Sequence, residues 1–115
     1  MEKRPNLDVM SLYRAVGVDE FYSIMQTGHF SLNPDNAVNV KYFGVDYEET
    51  LAFASKIQFM DIVAVVEVGV LRDILLRIGD FTQVDTFLFK KGTVIIQAEN
   101  LDEFNGAIKY IVQKY

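Results

Sequence analysis

The sequence predicts a single α+β domain. Half of its 115 residues are hydrophobic, which suits one compact core in a chain of this length. Short runs rich in β-branched and aromatic residues alternate with segments whose apolar residues recur at helical spacing. No repeat, low-complexity tract or linker divides the chain, so one domain is predicted over residues 12–115, behind a polar lead-in over 1–11.

The first two elements are a strand and a helix. The strand is predicted over residues 10–16. Phe21, Ile24 and Met25 then repeat at the i, i+3, i+4 spacing of one helix face. Gly28 is placed to end this helix, because glycine readily adopts the left-handed conformation of a helix C-terminus.

A loop, a strand and a second helix come next. Residues 31–40 are rich in Asn, Pro and Asp and predict a loop, and residues 41–45 predict a short strand. Asp46 with Glu49 three positions later forms a capping box, which predicts a helix N-terminus. The apolar run over 61–68 predicts a strand buried on both faces.

The last part of the chain predicts a helix, a hairpin and a final helix. Apolar residues at helical spacing predict a helix over 71–78, followed by a connection over 80–83. Two β-rich runs, 84–89 and 93–97, flank a Lys-Lys-Gly turn and predict a hairpin. The apolar spacing over 101–111 predicts a helix.

Charge and composition exclude several classes of function. The net charge of −5 disfavours nucleic-acid binding, because phosphate contacts need clustered Lys and Arg. No apolar run is long enough to span a membrane. The chain has no cysteine, and the lone histidine, His29, has no Cys or acid at ligand spacing, so no metal site is predicted.

Several blocks occur in an order that resembles small ADP-ribosyltransferase-like domains of bacterial toxins and their relatives. The blocks are Leu12-Tyr13-Arg14, Thr27-Gly28-His29-Phe30, Lys41-Tyr42-Phe43, the strand Val63–Val68, and the terminal stretch from Ile96 to Asn105. The resemblance implies a split β-sheet with flanking helices, and a cleft between two half-sheets that binds NAD as a substrate.

The resemblance also implies a set of cofactor-binding residues. Arg14 would hold the ribose and phosphate side of NAD, for which its planar, permanently charged fork is suited. Tyr13, Tyr42 and Phe43 would line the pocket, although strand alternation places only one of Tyr42 and Phe43 on the cleft side. The alternative for Arg14 is a surface arginine paired with an acid.

The residues expected to carry catalysis match poorly. Active members of the family place Ser or Thr after the aromatic residue of the middle strand, where this chain has Gly44 and Val45. They place a catalytic Glu before a late apolar triplet, where this chain has Thr93, which cannot stabilise a developing positive ribosyl centre as a carboxylate does. Glu99 is the remaining candidate for the catalytic acid, and its alternative role is to cap the last helix.

Two functions follow from the resemblance. The first is NAD binding with transfer of ADP-ribose to a macromolecular acceptor. The second is a catalytically inactive module of the same fold, which would bind a protein with a basic surface in a toxin–immunity or regulatory context. The expected location is the cytoplasm, or secretion as part of a toxin system.

One further acid stands out. Glu67 lies in an otherwise apolar strand. The favoured interpretation is that its side chain points to solvent near the strand end. The alternative is a buried carboxylate, which needs a partner or a raised pKa.

Overall fold

The protein combines four helices with one β-sheet in the part of the chain that its computed structural model describes, residues 8–31, 40–56, 61–82 and 89–115. The α+β prediction is therefore confirmed. In chain order the elements are β1 (Val9–Gly17), α1 (Val18–Thr27), β2 (Val40–Gly44), α2 (Tyr47–Lys56), β3 (Ile62–Leu71), α3 (Arg72–Ile78), β4 (Asp80–Thr82), β5 (Thr93–Gln97), a 3₁₀ turn (Ala98–Asn100), α4 (Leu101–Gly106) and β6 (Ile108–Gln113).

The sheet has the strand order β4-β5-β2-β1-β3-β6, and its neighbouring strands are antiparallel. β1 and β3 share nine registered pairs, and β2 and β5 share five. β1 and β2 share a single registered pair, Tyr13 with Gly44. Two three-stranded halves, β4-β5-β2 and β1-β3-β6, are therefore joined along a narrow line of contact, which we call the seam.

The hydrophobic core lies on one face of the sheet, which we call the core face. Helices α1, α3 and α4 pack there through buried residues such as Ile24, Leu75 and Phe104. Phe30, Phe43 and Phe104 form an aromatic cluster at its centre, with ring centroids 5.1 to 6.0 Å apart. Because strand residues alternate between faces, the core face of β1 carries its even-numbered positions.

Helix α2 packs on the opposite face of the sheet, against β1, β2 and β3, and we call this the α2 face. Thr50 of α2 packs so closely on Gly44 that a Cβ there would lie 2.3 Å from Thr50 Oγ1. Tyr47 of α2 contacts Tyr13 of β1, with ring centroids 5.8 Å apart. Val65, fully buried, lies on this face because it alternates with the core residue Val66.

The helix boundaries that depend on local chemistry are confirmed. α1 is followed by Gly28 with φ of 72°, and the Gly28 N–H donates to the Ile24 carbonyl at 2.7 Å. The Glu49 N–H donates to Asp46 Oδ2 at 3.0 Å at the start of α2, as the capping box predicts.

The C-terminal prediction of one helix over 101–111 is wrong. α4 ends at Gly106, and the chain then forms β6, which pairs with β3. Ile111 and Ile108 still reach the core, but they do so from a strand. Pairing with the exposed edge of β3 satisfies the backbone of six residues, which outweighs the helical spacing of the apolar side chains.

The predicted strand limits also shift. β1 begins at Val9, so residues 9–11 belong to the sheet rather than to the lead-in predicted over 1–11. The connection predicted over 80–83 contains β4. Residues 84–88 of the predicted hairpin, and 32–39 of the predicted loop, lie outside the described residues. No helix within the described ranges is long and apolar enough to cross a membrane.

Candidate functional site

Arg14 lies at the seam, on the core face of β1. Its Nε donates to Glu20 Oε2 at 2.8 Å and its Nη2 donates to Glu20 Oε1 at 3.2 Å, so one carboxylate of α1 binds two donors along one edge of the guanidinium. Its Nη1 donates to the Tyr42 carbonyl at 2.9 Å, across the seam on β2. The guanidinium also lies 5.9 Å from the centroid of the Phe43 ring.

Lys41 joins this group from β2. Its Nζ lies 3.3 Å from Glu20 Oε2, and its side chain is only 9% exposed. The three residues form the Arg14–Glu20–Lys41 cluster, in which two cations share one carboxylate. Within the part of the chain that the structure describes, the cluster therefore has one positive charge in excess, at a place that is largely withdrawn from water.

The shared environment shifts the pKa of two members. Burial alone would raise the pKa of Glu20, but hydrogen bonds and Coulomb attraction from Arg14 and Lys41 outweigh it, and the pKa is lowered. Burial lowers the pKa of Lys41, and repulsion from Arg14 adds to the effect. The two cations therefore favour the charged form of Glu20, whereas Glu20 offsets only in part the burial and repulsion that lower the pKa of Lys41.

Replacing Glu20 with glutamine is expected to destabilise the fold by about 1–3 kcal/mol at neutral pH, because two half-buried cations lose their carboxylate. Since the pKa of Glu20 is lowered in the folded state, its contribution is fully present above the ordinary value of 4.5 and is lost as the pH falls through the lower folded value. Urea unfolding of wild type and Glu20→Gln at a series of pH values measures this difference.

The matched control is Glu48→Gln, which removes an exposed carboxylate from the first turn of α2. We expect a small effect on the free energy of unfolding at every pH. A wild-type advantage over Glu20→Gln that stayed constant from neutral pH down to strong acid would contradict the ion-pair assignment.

The structure separates the predicted pocket residues into two groups. Arg14 and Phe43 share the core face, and Phe43 is 1% exposed within the aromatic cluster. Tyr13 lies on the α2 face, opposite Arg14. The Tyr42 side chain is 43% exposed, and this residue reaches Arg14 through its backbone carbonyl.

Thr93 and Glu99 lie at opposite ends of β5. Thr93 is 4% exposed, and its hydroxyl donates to the Thr82 carbonyl at 3.0 Å. Glu99 is exposed in the 3₁₀ turn that follows the strand. The position where the resemblance expects a carboxylate is therefore occupied by a buried hydroxyl, and Glu99 lies beyond the far end of the strand.

An open pocket of about 240 Å³ lies beside Thr93. It is lined by Val45, Phe81, Thr82, Lys91, Gly92 and Thr93. The Lys91 ammonium is engaged with Asp46 Oδ1 at 3.1 Å. Asp46 also begins α2 through its other oxygen, so this charge pair is part of the helix cap.

Two members of the cluster, Glu20 and Lys41, are absent from the residues predicted to form the site. A sequence signal existed for Lys41, because it precedes Phe43 by two positions and so shares its face of the strand. Glu20 gave no such signal. It lies one turn into α1, and only the packing of α1 onto the seam brings it to Arg14.

Comparison of the chain with protein-family models, with curated proteins and with solved structures found no match. Among the described residues, no group of His, Asp and Glu side chains is arranged to hold a metal ion.

Proposed function

We propose that this protein binds NAD, with the diphosphate of the nucleotide against Arg14 and Lys41. The observation that carries the proposal is the unbalanced charge of the Arg14–Glu20–Lys41 cluster, since a phosphate oxygen would supply the missing negative charge. A local excess of positive charge is notable in a chain whose net charge is −5.

The position of the cluster favours an anion for a second reason. Glu20 lies in the first turn of α1, so the cluster is close to the positive end of a ten-residue helix. The N-cap residue is Gly17, which has no side chain that could cap the first N–H groups of the helix. Backbone N–H groups at such an end are suited to a phosphate. The choice of NAD among nucleotides comes from the sequence resemblance.

The proposal covers binding and leaves out transfer of ADP-ribose. Transfer would need a carboxylate beside the ribosyl centre, and Thr93 occupies the position where the resemblance expects it. The other candidate, Glu99, is exposed beyond the end of β5.

Calorimetric titration with NAD tests the proposal. We expect saturable binding by the wild type, and a loss of about tenfold in affinity, equal to about 1.4 kcal/mol, for both Arg14→Gln and Lys41→Met. Arg72→Gln is the matched control, because Arg72 also pairs with one carboxylate, Asp8, but at an exposed site elsewhere on the fold. We expect its affinity for NAD to equal that of the wild type.

One variant is expected to change NAD affinity and stability in opposite directions, which distinguishes an effect on binding from an effect on folding. Glu20→Gln removes the carboxylate that competes with phosphate, so we expect tighter binding of NAD from a protein that is less stable. A folded wild type that shows no binding at millimolar NAD would overturn the proposal. Equal affinities of wild type, Arg14→Gln and Glu20→Gln would overturn the assignment of the cluster.

The second candidate function is a non-catalytic module that binds a protein with a basic surface. The observation that favours it is the buried Thr93 hydroxyl, which occupies the position where the resemblance expects the carboxylate for transfer. The acidic net charge would favour encounter with a basic partner.

A further inference from the structure

A second polar group lies on the α2 face, around Glu67. The Tyr110 hydroxyl donates to Glu67 Oε2 at 2.5 Å, and Ser11 Oγ lies 3.0 Å from that hydroxyl and 3.4 Å from the carboxylate. The Glu67 side chain is only 14% exposed. The interpretation that Glu67 points to solvent is therefore wrong, and the alternative of a carboxylate with partners is confirmed.

Gly69 fixes the position of Tyr110. The two residues are registered opposite each other on β3 and β6. A Cβ on Gly69 would lie 2.1 Å from Tyr110 Cε2, so the ring rests directly on the glycine backbone. This contact holds the Tyr110 hydroxyl at the carboxylate of Glu67, two positions along the same face of β3.

Tyr13 and Tyr47 complete the group on its other side. Tyr13 is registered opposite Glu67 on β1, and its ring contacts that of Tyr47. Burial raises the pKa of Tyr13, and the negative charge of Glu67 raises it further. Tyr110 and Tyr13 thus flank the carboxylate of Glu67, and Tyr47 packs against Tyr13. We call Tyr13, Tyr47, Tyr110 and Glu67 the tyrosine–glutamate box.

The box already holds a cation from the same chain. Lys114 Nζ lies 3.8 Å from Glu67 Oε1 and 5.9 Å from the centroid of the Tyr47 ring. A carboxylate together with an aromatic face is the environment that a basic side chain prefers. Both distances are at the outer limit for such contacts, and the Lys114 side chain is 43% exposed, so the lysine occupies the box loosely.

We propose that the tyrosine–glutamate box is a receptor for an arginine or lysine side chain of a basic partner protein, and that Lys114 is an internal occupant which this side chain displaces. An arginine would fit better than Lys114 does, because its planar guanidinium stacks on tyrosine while it donates to a carboxylate. The inference rests on the second candidate function, a module that binds a basic protein, and names the residues that would contact that partner. It does not depend on NAD binding, since the Arg14–Glu20–Lys41 cluster lies on the core face.

Titration followed by NMR tests the inference with Nα-acetyl-arginine amide as the probe and the uncharged Nα-acetyl-citrulline amide as its control. We expect the arginine probe to give saturable shifts at the amides of Tyr13, Glu67 and Tyr110, and the citrulline probe to give none. In Lys114→Met the internal competitor is gone, so the arginine probe should bind about threefold more tightly. Lys109→Met changes an exposed lysine of β6, the strand that precedes Lys114, and should match the wild type.

Glu67→Gln should abolish these saturable shifts. Saturable binding of the arginine probe that survives Glu67→Gln, equal binding of the two probes, or an affinity that Lys114→Met leaves unchanged would each overturn the inference. If Glu67→Gln does not fold, the comparison of Lys114→Met with Lys109→Met decides. None of these outcomes affects the NAD proposal, because its titration measures a different set of variants.

Discussion

Replacing Phe43 with alanine is expected to lower the free energy of unfolding by about 3–5 kcal/mol, the usual cost of deleting a buried phenylalanine ring. Phe43 is 1% exposed, and its ring lies 5.2 Å from that of Phe30 and 5.1 Å from that of Phe104, measured between centroids. It also lies beneath the guanidinium of Arg14. The variant therefore loses core packing and also the ring that contacts Arg14 of the Arg14–Glu20–Lys41 cluster.

The neighbouring residue provides the control. Tyr42 is 43% exposed, so Tyr42→Ala should cost less than about 1 kcal/mol. Urea unfolding of the two variants, with the slope of the transition unchanged, measures both values. A cost for Phe43→Ala as small as that for Tyr42→Ala would contradict its assignment to the core, and would favour the role of a pocket residue that the sequence resemblance implies.

Placing glutamate at position 93 is expected to destabilise the fold by about 3–5 kcal/mol at neutral pH, because it puts a charge at a buried position beside Lys91, which is already paired with Asp46. Thr93 is 4% exposed, and its hydroxyl is already bonded to the Thr82 carbonyl. Its cross-strand neighbour Gly44 is covered by Thr50 of α2. A carboxylate at the position where the sequence resemblance expects one would therefore disrupt the sheet around it.

The destabilisation caused by Thr93→Glu is expected to depend on pH. Burial would raise the pKa of the new carboxyl, so the cost of Thr93→Glu should be largest at neutral pH and should shrink as the pH falls and the group is protonated. Thr82→Glu, at the exposed position registered opposite on β4, is the matched control and should be nearly neutral. A stable Thr93→Glu variant would show that position 93 accommodates a charge.

The first half of the fold could be predicted because local chemistry determines it. Gly28 ends α1 through a left-handed conformation, and Asp46 begins α2 through its own carboxylate. Both features involve residues within four positions of each other. They would form wherever the chain went afterwards, so the sequence alone suffices.

The C-terminal part could not be predicted in the same way. Ile108 and Ile111 are three positions apart, which fits a helix, and both also reach the core from a strand. The choice depends on β3, whose free edge pairs with β6 through contacts such as Val68 with Ile111. Such a pairing joins residues far apart in the chain, and apolar spacing carries no information about it.

Only part of the candidate site could be predicted from the sequence. Arg14 could be singled out, and strand alternation already implies that its neighbour Tyr13 faces the other way. Its partners could not be found, because Glu20 and Lys41 come from two other elements. The same holds for Glu67. Its partner Tyr110 lies in β6, within the segment 101–111 predicted as a helix, and its partner Lys114 follows the end of that strand.

Under the NAD proposal, binding at the seam would affect how the two halves of the sheet are joined. Along β1 and β2 the ladder has a single registered pair, and the donation from Arg14 Nη1 to the Tyr42 carbonyl is a second contact that bridges the two halves. A ligand that drew the guanidinium away from the Tyr42 carbonyl would weaken the contact between β1 and β2. A ligand that bound only Nε and Nη2 would leave that contact in place. Arg14 would then both bind the ligand and hold the two halves of the sheet together.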